Sequence, residues 1–339
     1  MKKLYFLLPV AALLFQACAN DFEVTAPWKE IPVVYAILSP KDTAHYIRVE
    51  KAFLDPVTNA LEVAQIADSL YYPENAIDIY LERVDSNQRI QLTRVDGNLE
   101  GYVRQSGVFA TQPNWLYKTK TTLREGKAYR FILSHADGSP DITAETTIPD
   151  SFSFNQPSPA AIPPEIGFIR DLGTTISWRT DENGLYFSVA MRIRYREEAP
   201  NGSLIKRDTL YWVPVPNIRR TDLLVASGRY KGEAIISGNT FFNFLVDHIP
   251  AASDRFRYFE GIDITIEGGG KEIERYLETA AANAGLTGAE VVPTYTNLSE
   301  GFGIFTGKNS SIMNKVKVSS KTIDSMNEQS PVKDLNFRF

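Results

Sequence analysis

Short runs of alternating apolar and polar residues, separated by turn residues, dominate the first half of the chain. A continuous apolar run, Pro32–Leu38, precedes a Ser-Pro-Lys-Asp turn, and His45–Lys51 then alternates apolar with polar side chains. A period of two is typical of a β-strand with one buried face. Further runs of this kind lie at 76–83, 89–94, 116–123, 129–134 and 143–148. The pattern predicts an antiparallel β-sandwich over residues 28–150, with a short helix at 61–70.

The second half follows the same pattern after a proline-rich stretch. Residues 151–165 contain four prolines within eight residues, which disfavours strand pairing and predicts a linker. In residues 166–318, strand-like runs lie at 174–180, 185–196, 209–216 and 258–266, and helical spacing appears at 239–249 and 273–284. Residues 319–339 are predicted to be a mobile C-terminal tail with an aromatic end that docks as an edge strand.

The expected fold class is therefore mainly β, with two antiparallel β-sandwich domains of the immunoglobulin or fibronectin-III kind. The second domain has one or two inserted helices, and Trp178 is predicted to lie in its core. Arg192, Arg194 and Arg196 share one face of the strand at 185–196. This row either binds a sugar acid or an anionic partner, or forms a solvated face paired with nearby carboxylates, which is the more common arrangement.

The composition narrows the function classes. The 339 residues include 36 Lys and Arg against 41 Asp and Glu, a formal net charge of −5. Such a chain lacks the basic face of a nucleic-acid-binding protein. The single cysteine, Cys18, excludes a disulfide scaffold and a thiolate zinc site, and only three histidines are available for metal or acid–base chemistry. We predict no metal site and no cofactor.

Residues 1–17 have the pattern of an export signal peptide. Lysines precede an apolar run at 4–15, which is too short for a membrane-spanning helix of about 20 residues. Cys18 follows directly and resembles the acylated cysteine in the lipobox of bacterial lipoproteins. The resemblance predicts a lipid anchor on Cys18, followed by a tether over 18–27. The alternative is an ordinary secretory signal with an incidental cysteine.

The tether begins with a short acidic stretch. Asn20, Asp21 and Glu23 resemble the surface-export signal that Bacteroidota lipoproteins carry just past the anchor. This resemblance implies a lipid-anchored protein of the outer membrane, exposed at the cell surface. The alternative is a generic polar tether on a chain that faces the periplasm.

The most distinctive segment is 295–307, in which glycines alternate with bulky apolar residues. We expect a turn into a strand where two backbones approach closely, with a partner-docking loop as the alternative. The segment resembles a C-terminal motif of an uncharacterised family of Bacteroidota outer-membrane lipoproteins that often accompany TonB-dependent transporters. Val33–Pro40 and the strand-then-helix element Ile262–Asn283 are similar to parts of the same family. The resemblance implies a location and a β-rich two-domain form, and it brings no catalytic residues.

No catalytic motif is present in the sequence. The serine elbow Gly-x-Ser-x-Gly and the metal helix His-Glu-x-x-His are both absent. Gly268–Lys271 is predicted to be a flexible turn rather than a phosphate loop, because Glu272 would repel phosphate. Asp137–Asp141 lacks the twelve-residue pattern of a calcium loop and is predicted to be a hairpin turn. A glycosidase needs only two carboxylates that the fold brings together, and the sequence does not exclude such a pair.

Some residues are candidates for binding or modification. Trp115 and Tyr117 are the candidate ligand or partner contacts, because aromatic rings stack on sugar rings. Four Asp-Ser/Thr-apolar triplets resemble the O-glycosylation signal of Bacteroidota, with Thr43, Ser69, Thr209 and Ser325 as acceptors. A packing role for the aromatic residues and a chance match for the triplets are the alternatives.

Together, these patterns predict a non-enzymatic outer-membrane lipoprotein. We expect an accessory or binding subunit of an outer-membrane protein complex, either a TonB-dependent transporter or assembly machinery. The expected partners are the membrane, through the N-terminal lipid, and outer-membrane barrel or complex proteins. One alternative is a surface module that binds glycans or peptides, and a second is an unrecognised hydrolase, which requires a pocket of convergent carboxylates.

Overall fold

The fold is mainly β, as predicted, with 48 % of residues in strands and 14 % in helices. The computed structural model describes residues 31–52, 59–225, 228–283 and 294–339. The strands are β1 (Ile31–Leu38), β2 (His45–Ala52), β3 (Ile77–Arg83), β4 (Gln88–Gln91), β5 (Thr93–Asp96), β6 (Trp115–Thr119), β7 (Ala128–His135), β8 (Ile142–Thr147), β9 (Ser153–Gln156), β10 (Glu165–Ile166), β11 (Gly173–Thr180), β12 (Tyr186–Glu198), β13 (Leu204–Arg219), β14 (Leu224–Val225), β15 (Arg229–Ser237), β16 (Phe256–Gly269), β17 (Phe302–Val318) and β18 (Phe337–Arg338). The helices are α1 (Ala60–Val63), α2 (Ala67–Leu70), α3 (Gly238–His248), α4 (Lys271–Asn283) and α5 (Ser320–Met326), and Lys333–Leu335 forms a 3₁₀ turn.

A ten-stranded sheet runs through most of the described chain. Its order is β13-β12-β16-β17-β1-β2-β6-β5, with β10 paired to β17 and β18 paired to β16. Two four-stranded sheets accompany it, with the orders β14-β15-β11-β9 and β4-β3-β7-β8. The long sheet thus combines strands from both predicted domains, because β17 from the second region pairs with β1 from the first.

Strand β17 joins the two regions through parallel pairing with β1. The register runs from Val33 opposite Phe302 to Leu38 opposite Gly307. Beyond that point β17 pairs with β16, from Lys308 opposite Gly269 to Val316 opposite Ile262. One strand therefore carries the sheet from the N-terminal half into the C-terminal half.

Glycine allows this close approach. Gly303 has a φ of +109°, and a Cβ atom on it would lie 1.9 Å from the Val34 carbonyl oxygen. A side chain here would be strained by its backbone conformation and would also collide with the neighbouring strand. The glycines of the 295–307 segment are therefore packing residues, as predicted from their alternation.

The side chain of Asn297 makes hydrogen bonds to the backbone of Phe305, as a neighbouring strand would. Its amide Nδ2 donates to the Phe305 carbonyl oxygen at 2.7 Å, and its Oδ1 accepts from the Phe305 N–H at 3.0 Å. Asn297 thereby satisfies both backbone groups of Phe305, which lies opposite Ala36 of β1. The same Nδ2 reaches the Glu145 carbonyl oxygen at 3.2 Å, which ties the segment to β8.

Two hydrophobic cores lie along the long sheet, and β17 contributes to both. Phe305 is fully buried in a core with residues of β1, β2, β3, β7 and β8. Met313, Val316 and Val318 belong to a second core built from β11, β12, β15, β16, α3 and the C-terminal segment. Trp178 is fully buried in this second core, as predicted.

The segments outside the predicted strands differ from expectation. The expected linker contains β9, which pairs with β11, and β10, which pairs with β17. The expected helix at 61–70 forms two short helices, α1 and α2. Gly268 and Gly269 are not a flexible turn but the buried end of β16, where a Cβ atom on Gly268 would lie 2.3 Å from the Phe187 ring.

The C-terminal tail is part of the core, contrary to the prediction of a mobile extension. Ile323, Met326 and Leu335 are buried in the second core. Buried Arg257 donates to the Leu335 carbonyl oxygen at 2.7 Å and to Glu197 at 2.9 Å. The aromatic end does pair as a strand, with Phe337 of β18 opposite Arg257 of β16.

The arginine row is paired with carboxylates, as in the more common of the two predicted arrangements. Arg192 and Arg194 both bind Asp263, with a shortest Arg192 distance of 2.8 Å, and Arg196 binds Glu198 at 2.6 Å. Burial alone would raise the pKa of Asp263, but hydrogen bonds from Arg194, the Lys315 N–H and Arg192 lower it to about 2. Asp263 therefore stays ionised and holds both arginines against β16.

We predict that Gly303→Ala destabilises the whole chain. The added Cβ atom would separate β1 from β17, so the free energy of unfolding should fall by about 3 kcal/mol or more. Urea unfolding followed by circular dichroism measures the loss. The control is Gly138→Ala, because Gly138 also has a positive φ, of +81°, but no atom lies within 4 Å of the position that a Cβ would take there. The control should lose only about 1 kcal/mol, and equal losses would contradict the role of the close approach.

Candidate ligand-binding and docking sites

An uncharged aromatic cleft lies beside the junction of β1 and β17. Tyr35 on β1, Phe302 on β17, Tyr276 on α4 and Tyr295 form its rings. Its remaining lining residues are Thr279, Ala280, Thr294 and Gly303, and the cavity measures about 240 Å³. Gly303, which admits β1 to the sheet, also leaves the cleft wall open at that position.

The chemistry of this aromatic cleft is neutral. Every residue that lines it in the described chain is uncharged. Burial raises the pKa of Tyr35 and of Tyr295, and neighbouring Tyr276 and Glu272 respectively raise them further. These phenols stay protonated at neutral pH, so they offer hydroxyl groups beside apolar ring faces.

An ordered loop at one end of the long sheet exposes apolar side chains. We define the apolar loop patch as Leu61, Ile66, Val103, Val108 and Phe109, whose exposed fractions run from 44 % to 64 %. These side chains lie on two segments, 61–66 and 103–109, that are joined by hydrogen bonds.

Hydrogen bonds and the burial of Ala64 and Ala110 fix the backbone of this loop. The Ala110 N–H donates to the Ala64 carbonyl oxygen at 2.8 Å, and Gln65 Nε2 donates to the Gly107 carbonyl oxygen at 3.1 Å. Within the loop, Asn98 Oδ1 accepts from the Arg104 N–H at 3.0 Å. The patch is therefore held in place while its apolar side chains face solvent.

The fold brings three carboxylates around a small cavity, which bears on the hydrolase alternative. Glu145, Glu182 and Glu272 line a cavity of about 190 Å³. Glu272 is 2 % exposed, and burial raises its pKa.

The hydrogen bonds of Glu272 indicate a structural role. Its Oε2 accepts from Thr146 Oγ1 at 3.1 Å, and that hydroxyl accepts in turn from the Gly307 N–H at 3.1 Å. This chain of bonds ties the start of α4 to β8 and β17. Glu145 is engaged separately, by Arg130 at 3.1 Å.

The predicted aromatic contacts lie elsewhere and are largely covered. Tyr117 is 6 % exposed within the first core, so it is not a surface contact. Trp115 is half-buried against Leu70, Tyr71 and Ala110, with the Arg94 guanidinium 4.6 Å from its ring centroid. Neither belongs to the aromatic cleft.

The predicted modification sites have different environments. Thr43 is exposed, and Ser69 and Thr209 are half-buried. Ser325 is 2 % exposed and accepts from the Arg170 N–H at 2.9 Å, so the folded chain hides this hydroxyl from a glycosylating enzyme. Cys18, Asn20, Asp21 and Glu23 lie outside the described residues.

A comparison with protein families agrees with the motif at 295–307. The profile of a family described as a domain of unknown function, DUF4249, matches residues 21–312. The chain belongs to this DUF4249 family. The expected resemblance to an uncharacterised family is thereby confirmed.

Other comparisons add no functional argument to the DUF4249 assignment. No curated protein matches the chain. Among solved structures, the chain is similar at 10 % identity to the C-terminal globular domain of an oligosaccharyltransferase from Pyrococcus abyssi, with a TM-score of 0.18. That match covers 88 % of this chain and 48 % of the other. A likeness this weak supports no conclusion about fold or function.

Metal clusters and spanning helices are both absent from the described residues. No group of three or more His, Cys, Asp or Glu side chains in residues 31–52, 59–225, 228–283 and 294–339 is placed to hold a metal ion. Within the same ranges, no helix combines the length and apolarity needed to cross a membrane.

We predict that Glu272→Gln changes how stability depends on pH. Burial raises the folded-state pKa of Glu272 above the ordinary value of 4.5. The contribution of this side chain to stability is therefore fully present at pH values below 4.5. It is lost as the pH rises through the raised pKa. The glutamine of the variant does not titrate and retains an oxygen that accepts from Thr146.

Urea unfolding of both proteins at a series of pH values measures this effect. The stability of the variant relative to the wild type should increase as the pH rises from acid to neutral. Asp263→Asn provides a comparison of opposite sign, because the wild-type advantage there should shrink as the pH falls from 3.8 towards about 2. A pH-independent difference for Glu272→Gln would contradict the structural role assigned to its buried carboxyl group.

Proposed function

We propose that this DUF4249 chain is a non-enzymatic accessory or binding subunit of an outer-membrane protein complex. In this proposal, lipid on Cys18 anchors it, residues 20–23 direct it to the cell surface, and the partner is a barrel protein such as a TonB-dependent transporter or assembly machinery. The apolar loop patch is the observation that carries the proposal. Docking on a protein would remove its exposed apolar side chains from water, a gain of about 25 cal/mol per Å².

The position of the patch supports a partner in the membrane. Ile31 at the start of β1 pairs with Ala52, and Asp96 at the end of β5 pairs with Trp115. Strand β2 lies between β1 and β6 and is antiparallel to both, so these two pairs lie at the same end of the long sheet. The 97–114 loop therefore leaves the sheet at the end where the chain enters β1. Ile31 follows Cys18 by 13 residues, a reach of at most about 45 Å.

The two cores support a finer description of the fold. We include in the proposal that each core is a sandwich of the immunoglobulin or fibronectin-III kind, with β17 shared between them. One pairs the β1-β2-β6 part of the long sheet with β3, β7 and β8, and the other pairs the β12-β16 part with β11 and β15.

Photo-crosslinking in native membranes tests the docking surface. A benzophenone amino acid at position 109 should form an adduct with a membrane-embedded protein. The same group at position 211 should not, because Tyr211, although 73 % exposed, lies on β13 at the other edge of the long sheet. No adduct at position 109, or equal adducts at both positions, would contradict the proposal.

Co-purification gives a second readout of the same prediction. The double variant Val103→Ser and Phe109→Ser should lose the partner after gentle detergent extraction while keeping the wild-type melting temperature. Tyr211→Ser is the matched control and should retain the partner. Retention by the double variant would count against the patch.

A second candidate function, glycan binding, is favoured by the aromatic cleft. Ring faces of Tyr35, Tyr276 and Phe302 offer stacking surfaces, and the threonine and tyrosine hydroxyls offer hydrogen bonds to sugar hydroxyls. An uncharged lining suits a neutral carbohydrate better than a charged peptide. In this reading, the cleft replaces Trp115 and Tyr117 as the sugar-binding surface.

A panel of neutral oligosaccharides tests the aromatic cleft. Tyr276→Ala should weaken the best-binding oligosaccharide about tenfold, because one stacking ring is lost. The exposed Tyr211→Ala is the control and should bind like the wild type. Absence of binding across the panel, or an unchanged Kd in Tyr276→Ala, would exclude this second function.

A further inference from the structure

A second, cationic cleft opens where β16 and β17 diverge. Their pairing ends at Ile262 and Val316, after which β17 pairs with β10 and β16 pairs with β18. Gly261 and Lys315 face each other at the divergence with positive φ values of +116° and +53°. Because each strand bends away with a different partner, the sheet is split at this point.

Buried Asp263 holds the bend in place. Its Oδ1 accepts from the Lys315 N–H at 2.8 Å, and its other bonds go to Arg192 and Arg194. The carboxylate thus accepts the hydrogen bond of the Lys315 N–H in place of a carbonyl oxygen from a neighbouring strand. The positive φ of Lys315, which is uncommon for a residue with a side chain, is kept by this bond.

The rim of the cleft is strongly positive. Arg196, Lys315, Lys317 and Arg338 line it, and Glu260 is the one acidic side chain among the lining residues. Within the described residues, neither lysine has a carboxylate oxygen within 4.0 Å. The whole chain has a net charge of −5, so this concentration of positive charge runs against the average of the chain.

Two of the rim groups, Arg196 and Glu260, are already paired. The two lysines are available to donate hydrogen bonds to an anion. Arg196 binds Glu198 at 2.6 Å, and Glu260 binds Arg207 at 3.0 Å. The Lys317 ammonium lies 4.8 Å from the Phe339 ring centroid, a cation–π contact. Both ammonium groups can therefore turn towards an anion without breaking an ion pair among the described residues.

The floor of the cleft is apolar. Phe259, Val318 and Ile323 line it beneath the charged rim, and the cavity measures about 430 Å³. This volume lies within the usual range of small-molecule sites, roughly 300–1,000 Å³. A cationic rim over an apolar floor suits a ligand with an anionic head and an apolar body.

We propose that this cationic cleft binds a small organic anion, a phosphate or carboxylate group attached to a ring or a short aliphatic body. Lys315 and Lys317 hold the anionic group, and Phe259 with its apolar neighbours holds the body. The site is separate from the apolar loop patch and the aromatic cleft, so the proposal does not depend on the function proposed above.

Isothermal titration calorimetry with phenyl phosphate tests the proposal on the full chain. We expect saturable binding that weakens as NaCl is added, with the neutral analogue benzyl alcohol failing to bind. The double variant Lys315→Asn and Lys317→Gln should weaken binding about tenfold or more. Asparagine is chosen at position 315 because it tolerates a positive φ. Lys321→Gln, an exposed lysine outside the cleft, is the control and should bind like the wild type.

The opposite results are equally clear. No saturable binding at millimolar phenyl phosphate, or equal binding by the double variant and the wild type, would overturn the proposal. If the double variant does not fold, the wild-type measurements test the proposal. Phenyl phosphate binding that does not depend on NaCl, or binding of benzyl alcohol as well, would also overturn it. Competition by phosphatidylglycerol vesicles assigns the anion to a lipid headgroup, and lack of competition assigns it to a soluble compound.

Discussion

The parallel contact between β1 and β17 is the constraint on which the rest of the structure depends. Gly303 lets the two backbones approach, and Asn297 satisfies the backbone groups of Phe305. Without that contact, the N-terminal strands would lose their connection to the C-terminal half of the sheet. The most distinctive part of the sequence thus corresponds to the most demanding packing in the fold.

The three surfaces of functional interest follow from how strands enter and leave the long sheet. The apolar loop patch lies where the chain enters β1, the aromatic cleft lies beside the β1–β17 contact, and the cationic cleft lies where β17 leaves β16. Each surface is positioned by backbone pairing and lined by a different chemistry. A binding subunit that contacts a membrane partner and a small ligand at the same time would need this kind of separation.

Local pattern is sufficient to predict most strands but not their partners. A continuous apolar run locates β1, alternation locates β2, β3, β7, β11, β12 and β16, and helical spacing locates α3 and α4, because these signals depend on near neighbours in sequence. Strand β15 is not predicted, since Gly232 at its centre gives no apolar signal; this residue is small because the Trp178 ring lies against it. The prediction that the tail is mobile is wrong because its few apolar residues are far apart in sequence, whereas its aromatic end pairs as a strand, as predicted.

The sites are harder to predict than the strands. The aromatic cleft joins Tyr35 to Tyr276 and Phe302, residues separated by most of the chain, and only the pairing of β1 with β17 brings them together. Trp115 and Tyr117 have suitable chemistry, but their strand positions place them against other residues. A hint is available in Pro32–Leu38, where an uninterrupted apolar run leaves Tyr35 and Ile37 on the outer face of the strand.

Native-state hydrogen exchange in increasing urea tests most directly whether β17 unites the described chain into one cooperative unit. Mass spectrometry would follow peptides from β7 in the first core and β15 in the second. The account predicts that the slowest amides of both peptides open with the same free energy and the same urea dependence, because neither core can unfold while the other keeps β17 in place. Two distinct opening free energies, with one core exchanging while the other stays protected, would contradict it.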